Sequence, residues 1–443
     1  MALGGGSWTS QNKVLPGAYI NFASAAKASA TLSDRGIVAM PLTLNWGEDG
    51  RVFLVTDTDF RENCQKIFGY PNTADEMLPL RELFRCTKKL YAYRLVAGAA
   101  KATCVFATAK CFGTRGNDLK IIIEAAVDDA SKWVVTTKLL GDTLDVQVAA
   151  TAAGLHDNDY VTFAPTATLA ATAGTALTGG TNGTAADGAA YQTFLDKIES
   201  YSFNVLGCPV ATATVVSLFT AFTKRMRDEI GAKFQLVVYH GEAANSEGVI
   251  SVENAVTGFN AATPGFGDFG LVYWVSGAAA GCDVNKSNTN MKYNGELTVA
   301  VDYTQTELET AIGAGKFIFH NVGGTVRVLE DINTLVSTSE TKGDIFKANQ
   351  TVRVIDQIAN DTAVIFNTRY LGSIPNDAAG RISLWNDICK LHQALEAIRA
   401  IESFDTKSVT VEPGATKKSV VCTVSGLNII NAMSRLYMSV VIA

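Results

Sequence analysis

The chain has 443 residues, 47% of them hydrophobic and 18% charged, with a formal net charge of −6. That is apolar material for two or three cored domains at roughly 100–200 residues each. The longest apolar runs, such as Ala211 to Phe222, fall short of the ~20 residues that cross a bilayer. The balance of 37 Lys and Arg against 43 Asp and Glu, with no Lys or Arg from Leu139 to Asp196, excludes the basic stripe of a nucleic-acid binder.

Residues 1–30 read as an extended arm. MALGGGSWTS carries no basic n-region and no apolar h-region, so no secretion signal is expected. The short strand Ala18-Tyr19-Ile20-Asn21-Phe22 follows Pro16-Gly17, and only Lys13 and Lys27 are charged. So apolar an arm is expected to lie on another surface rather than in water.

An α/β core occupies residues 31–97. Strands are expected at Ile37–Met40, Arg51–Val55 and Leu90–Val96, with helices over Thr58–Phe68 and Pro79–Lys88. Thr58 and Asp59 stand where an N-cap belongs. Residues 98–190 change character, with β-type runs at Ile121–Glu124, Lys132–Thr137, Thr143–Val148 and Asp159–Phe163. Of the 40 residues from 151 to 190, 27 are Ala, Thr or Gly. This block reads as an inserted all-β domain with a low-complexity surface segment.

Core α/β alternation resumes over 191–335. Helices are expected at Tyr191–Ser200, Ala213–Gly231, Leu271–Ala280 and Gln305–Ile312. The strands fall at Phe203–Leu206, Phe234–Tyr239, Gly248–Val256, Lys316–His320 and Thr325–Leu329. A further α/β domain spans 336–425, with long helices at 344–367 and 377–402. In the second, Leu384, Ile388, Leu391, Leu395 and Ile398 form an apolar seam. Pro413-Gly414-Ala415-Thr416 marks a hairpin between Lys407–Glu412 and Lys418–Val424. Residues 426–443 are a last arm ending in the apolar strand Arg435–Ala443, with Leu436, Tyr437, Met438, Val440 and Ile442. Such a segment either joins its own sheet or pairs with a neighbour's edge.

Catalytic signatures are sparse. Gly265, Gly267 and Gly270 fit G-x-G-x-x-G, but an eight-residue loop separates the triplet from the strand ending at Val256. No acidic residue follows at the ribose distance. The only Gly-Lys pair, Gly315-Lys316, precedes Phe317, so no Walker loop forms. His156, His240, His320 and His392 belong to no H-E-x-x-H, and there is no G-x-S-x-G. The eight cysteines form no C-x-x-C. Cys389 and His392 share a helix without a second pair, and scattered small hydrophobes are the better reading. Asp128-Asp129 and Glu330-Asp331 read as solvated turns, and Lys224–Glu229 as the last turns of an exposed helix or equally as half of a charge-complementary interface. The segment from Asp405 is basic (Lys407, Lys417, Lys418 and Arg435 against Asp405 and Glu412), whereas the inserted block is acidic. That asymmetry is compatible with charge-complementary packing between copies.

Taken together, RGIVAMPLTLNWG (35–47), KCFGTRGNDLKIII (110–123), ALTGGTNGTAADGAAYQTFLDKIESYSFNVLGCP (176–209), AGCDVNKSNTNMKYNGE (280–296) and DIFKANQTVRVIDQIANDTAVIFNTRYLGSIPNDAAGR (344–381) resemble contractile phage tail sheath proteins. The resemblance is to the Gram-positive, clostridial type and to R-type phage-tail-like bacteriocins such as diffocin, and it covers nearly the whole chain. It implies a core of subtilisin-like α/β architecture without a working triad, an outward-facing β-sandwich, and no cofactor, metal or catalysis. The implied assembly is a helical stack of hexameric rings around an inner tube, with baseplate and terminator proteins at its ends and no nucleic-acid or membrane partner. It would be built in the bacterial cytoplasm and released as part of a tail.

In that family the terminal arms add strands to neighbouring subunits, a role that would fall to Ala18, Tyr19, Ile20, Asn21 and Phe22 and to Leu436, Tyr437, Met438, Val440 and Ile442. Residues 23–30 and 426–434 would hinge during contraction. The residues alone leave two other classes open: a nucleotide-binding α/β enzyme using Gly265–Gly270, and a static self-assembling shell.

Overall fold

In the computed structural model, which describes residues 32–95, 98–259 and 266–442, the core begins with Ile37–Leu42 (β1). Val38 and Met40 pack into one apolar cluster and Ala39 into another, the pattern of a strand covered on both faces. Val52–Thr56 (β2), Asp57–Glu62 (α1), Cys64–Phe68 (α2), Leu78–Leu83 (α3) and Lys89–Arg94 (β3) follow. The helix expected over 58–68 is two, because Asn63 leaves helical geometry at φ −115° and ψ 12°. Its cap is Thr56 rather than Thr58 or Asp59. Thr56 Oγ1 accepts from Asp59 N at 3.1 Å, and Asp59 Oδ2 accepts from Thr56 N at 3.1 Å, a capping box. Hydrogen bonds from the Thr56 hydroxyl and backbone hold the Asp59 carboxyl below its ordinary value.

The inserted block is all-β. It contains Ala107–Ala109 (β4), Leu119–Ala125 (β5), Trp133–Leu139 (β6), Asp142–Ala149 (β7), Val161–Phe163 (β8) and Thr172–Ala176 (β9). An antiparallel sheet in the order β7-β6-β5-β9 and the pair β4-β8 enclose Leu119, Ile121, Ile123, Val135, Leu139, Val161 and Phe163. The Thr/Ala-rich segment, expected as a low-complexity surface segment, supplies the edge strand β9. Its Thr175 pairs with Ile121, and β-branched Thr fits a pleated edge as well as it fits a loop.

After Asp187, which caps Gly188–Ile198 (α4), come Val205–Cys208 (β10), Ala213–Arg225 (α5), Gln235–Tyr239 (β11), Val249–Val252 (β12) and Val256–Thr257 (β13). Then follow Leu271–Gly281 (α6), Thr298–Val299 (β14), Gln305–Gly313 (α7), Lys316–Phe317 (β15), Phe319–Val322 (β16), Thr325–Val328 (β17) and Asn349–Ile365 (α8). The central sheet runs β15-β12-β11-β10-β1-β3-β2, parallel throughout except for the edge strand β2. The cluster holding α3 and α6 lies on one side of these strands, and that holding α4 and α5 on the other. α6 is buried on every side, as an all-apolar helix must be. Its glycines permit a close approach to α3: a Cβ on Gly277 would stand 2.3 Å from Leu83 O, and one on Gly281 would stand 2.2 Å from Cys86 O.

The chain closes with Ala378–Ala397 (α9), Ile401–Glu402 (β18), Val409–Pro413 (β19), Val420–Val424 (β20) and Asn428–Ile429 (β21). Two compact units result. Of the described residues, one comprises those within 34–360, 399–402 and 428–442, and the other comprises 32–33, 361–398 and 403–427. In the second, Ile365, Tyr370, Leu384, Ile388, Cys389, Leu391 and Val409 form the core. The expected seam on α9 is buried from Leu384 to Leu395, while Ile398 at the helix end is exposed.

Candidate assembly interface

The first turns of α8 are unusual for a buried helix: Asn349, Gln350, Thr351, Arg353, Asp356 and Gln357 are polar and buried. Each identified contact has a specific partner. Asn349 Nδ2 donates to Asp331 Oδ1 at 2.9 Å and to Ile332 O at 2.8 Å, and Asn349 Oδ1 accepts from Gln235 Nε2 at 2.9 Å. Arg353 Nη2 donates to Asp331 Oδ2 at 2.6 Å and to Lys286 O at 2.9 Å. Burial works against charge on Arg353, and Asp331 more than offsets it, holding the guanidinium above its ordinary value. Asp356 takes two bonds from Arg227, at 2.7 and 2.9 Å. Both buried arginines correct the expectation. Glu330-Asp331 is no solvated turn, since Asp331 is buried, and Arg227 does not lie on an exposed helix end.

The same helix holds the root of the C-terminal arm. β21 pairs antiparallel with β18, Ile401 opposite Ile429, and Ile430 N donates to Ala400 O at 3.0 Å. Gln350 and Thr351 then bond residues 430–432. The hinge expected over 426–434 therefore contains a pinned stretch, 428–432. Beyond it, residues 433–442 join no sheet within the described chain. Leu436, Tyr437, Met438, Val440 and Ile442 are brought together as one exposed run, with Tyr437 89% and Ile442 90% exposed. Extended, that sequence places Leu436, Met438, Val440 and Ile442 on one face. Ala18, Tyr19, Ile20, Asn21 and Phe22 lie outside the described residues.

In the second unit, β19 and β20 form a two-stranded sheet, Val409 opposite Val424 and Pro413 opposite Val420. Val409 sits in the core formed with α9, while Val411, Val420 and Val424 pack against that core partly buried. Trp385 Nε1 fixes Val409 O at 2.9 Å, and Asn376 Nδ2 fixes Ser419 O at 2.8 Å. Among the described residues neither outer edge of this pair has a partner strand. A groove of about 600 Å³ lined by Tyr370, Leu371, Ile374, Arg381, Lys418 and Val420 opens beside β20. An open two-stranded sheet above an apolar groove is the geometry that accepts an added strand.

Of the glycine triplet, Gly265 lies outside the described residues, and Gly270 has a packing explanation. A Cβ on Gly270 would stand 2.6 Å from Phe266 Cζ and 2.9 Å from Val256 Cγ2, and Gly270 leads into buried α6. His392 is buried, its ring stacked on Phe404 with centroids 5.1 Å apart and its Nδ1 2.9 Å from Ile388 O. His240 faces Glu253 at the end of β11, Nε2 lying 3.1 Å from Glu253 O. His320 lies in β16, where burial lowers its pKa. Among the described residues no group of His, Cys, Asp or Glu has metal-ligand geometry. No described helix is long and apolar enough to cross a membrane.

A parallel α/β core interrupted by an antiparallel sandwich, with an apolar tail that joins no sheet among the described residues, defines a mixed α/β class. Four family models cover it in succession: Tail sheath protein Gp18 domain III N-terminal region (35–95), Phage tail sheath protein beta-sandwich domain (96–182), Phage tail sheath protein central domain (184–334) and Phage tail sheath C-terminal domain (341–443). The chain belongs to the phage tail sheath family. It is 32% identical over 433 residues to the phage-like element PBSX protein XkdK of Bacillus subtilis, covering 91% of this chain and 92% of that one. The crystal structure of the sheath tail protein from Desulfitobacterium hafniense superposes with a TM-score of 0.77 at 37% identity, over 89% of this chain and 93% of that one. The contracted helical sheath of the anti-feeding prophage shares the fold, with a TM-score of 0.55 at 12% identity over 97% and 99%.

Proposed function

We propose that this chain is the structural subunit of a contractile tail sheath. It polymerises as stacked hexameric rings around an inner tube and shortens from a metastable extended state, driving the tube through a bacterial envelope. The role involves neither catalysis nor a cofactor. Its partners are copies of itself, the tube, and the baseplate and terminator proteins. Assembly takes place in the bacterial cytoplasm before release within a tail or tail-like particle.

One observation carries this reading: the run from Leu436 to Ile442 is apolar, exposed and unpaired. Among the described residues the two-stranded sheet β19–β20 has open outer edges. A donated strand of five residues forms about four ladder bonds at roughly 0.5–1.5 kcal/mol net each, besides its side-chain burial. A single link is weak, and a lattice multiplies it. Strand pairing also survives rotation of the linked bodies, which contraction requires. The segment Ala18–Phe22 is the second donated strand in this account. The family resemblance and the fold shared with a contracted sheath support the reading.

Removal of residues 435–443 tests it. The truncated chain folds as a subunit but forms no long sheaths under electron microscopy. Normal sheaths from the truncated chain would contradict the proposal.

A further inference from the structure

The root of the arm is gripped from both sides by a single side chain. Gln350, in the first turn of α8 and 3% exposed, uses both ends of its carboxamide on the arm's backbone. Nε2 donates to Ile430 O at 3.1 Å, and Oε1 accepts from Ala432 N at 2.8 Å. That is the donor–acceptor pair a neighbouring strand would present. Beside it, the Thr351 hydroxyl and the Asn431 carboxamide lie 3.2 and 3.1 Å apart at Oδ1 and Nδ2.

After Ala432 the grip ends. Met433 is fully exposed. The next contact is Arg435 Nη2 with Glu330 Oε2 at 3.3 Å, a partly exposed pair of the kind that contributes little and breaks easily. A groove of about 460 Å³ beside this point is lined by Leu308, Ile312, His320, Leu329, Ser434 and Arg435.

We propose that Gln350 is the positioning residue of the C-terminal arm: its carboxamide sets the direction in which the arm leaves the core, and Met433-Ser434 is the pivot beyond it. The proposal rests on the reading of the arm as a donated strand. Ala432 is exposed and Ile430 partly so. Water can therefore replace the carboxamide on both backbone groups, and little folding stability depends on it. What water cannot replace is direction.

The test is Gln350→Ala in the full-length chain, beside the 435–443 truncation. Expected are amide exchange across 430–432 faster by about tenfold, a melting temperature shifted by less than about 3 °C, and loss of most pelletable polymer. Asn431→Ala, a change at an exposed residue, moves exchange and polymer in the same direction to a smaller extent. It serves as the readout if Gln350→Ala does not fold. If the truncation abolishes assembly while Gln350→Ala polymerises normally, the positioning role is overturned and the donated strand stands. Unchanged exchange at 430–432 overturns the grip itself, whatever the truncation does.

Discussion

Arg353 and Asp331, 22 residues apart in sequence, form an ion pair with Nη2 and Oδ2 2.6 Å apart and each side chain 1% exposed. Asp331 also accepts from Asn349 Nδ2 and from Asn288 N. It thereby joins α8 to two loops of the same unit. Such a pair contributes modestly when whole, because desolvation offsets most of the attraction, but losing one partner strands a buried charge. Asp331→Ala is therefore expected to cost about 3–5 kcal/mol, read as a lower urea midpoint. A loss under about 1 kcal/mol, the surface-pair range, would contradict it.

Gly277 on α6 offers a second test. With Leu83 O 2.3 Å from the position of an added Cβ, even Gly277→Ala forces α3 and α6 apart. The helix-propensity gain from Gly to Ala, about 1 kcal/mol, is outweighed by overpacking of roughly 1–3 kcal/mol or more. Calorimetry should show a lower melting temperature for Gly277→Ala and a larger fall for Gly277→Val. A more stable alanine variant would refute the close contact.

Glu82 gives a pH dependence. It is fully buried and accepts from Tyr293 Oη at 2.7 Å and from Glu296 N at 2.6 Å. Burial raises its pKa above the ordinary 4.5, against the lowering effect of those bonds. Between 4.5 and the raised value the folded state binds more protons than the unfolded one, so stability falls as pH rises through that window. Relative to Glu82→Gln, which cannot titrate, the native chain should lose urea stability over that window and level off above it. Parallel curves for the two proteins would contradict this.

These three sites show what the linear chain discloses and what it hides. β11 and β12 were legible because residues buried on both faces leave continuous Val, Leu and Ile runs, and α9 because its seam repeats at steps of four and three. The apolar run of the arm was legible from composition alone, whereas its exposure was not. Arg227 and Asp331 were not. A charge paired in the core reads locally like one in solvent, and Asp356 lies 129 residues from Arg227. Gln350 was equally hidden, because its partners Ile430 and Ala432 are backbone groups 80 and 82 positions away. The short β9 disappeared into Thr/Ala repetition. Local periodicity reports burial; polar geometry built across long separations leaves no local trace.

The central claim is that the run Leu436–Ile442 is completed by another copy. A density map of the assembled particle at side-chain resolution tests this most directly. The account predicts that these residues lie as an added strand on the β19–β20 sheet of a neighbouring subunit. If the map instead shows them folded back on their own protomer, with no strand crossing between copies, the claim is contradicted.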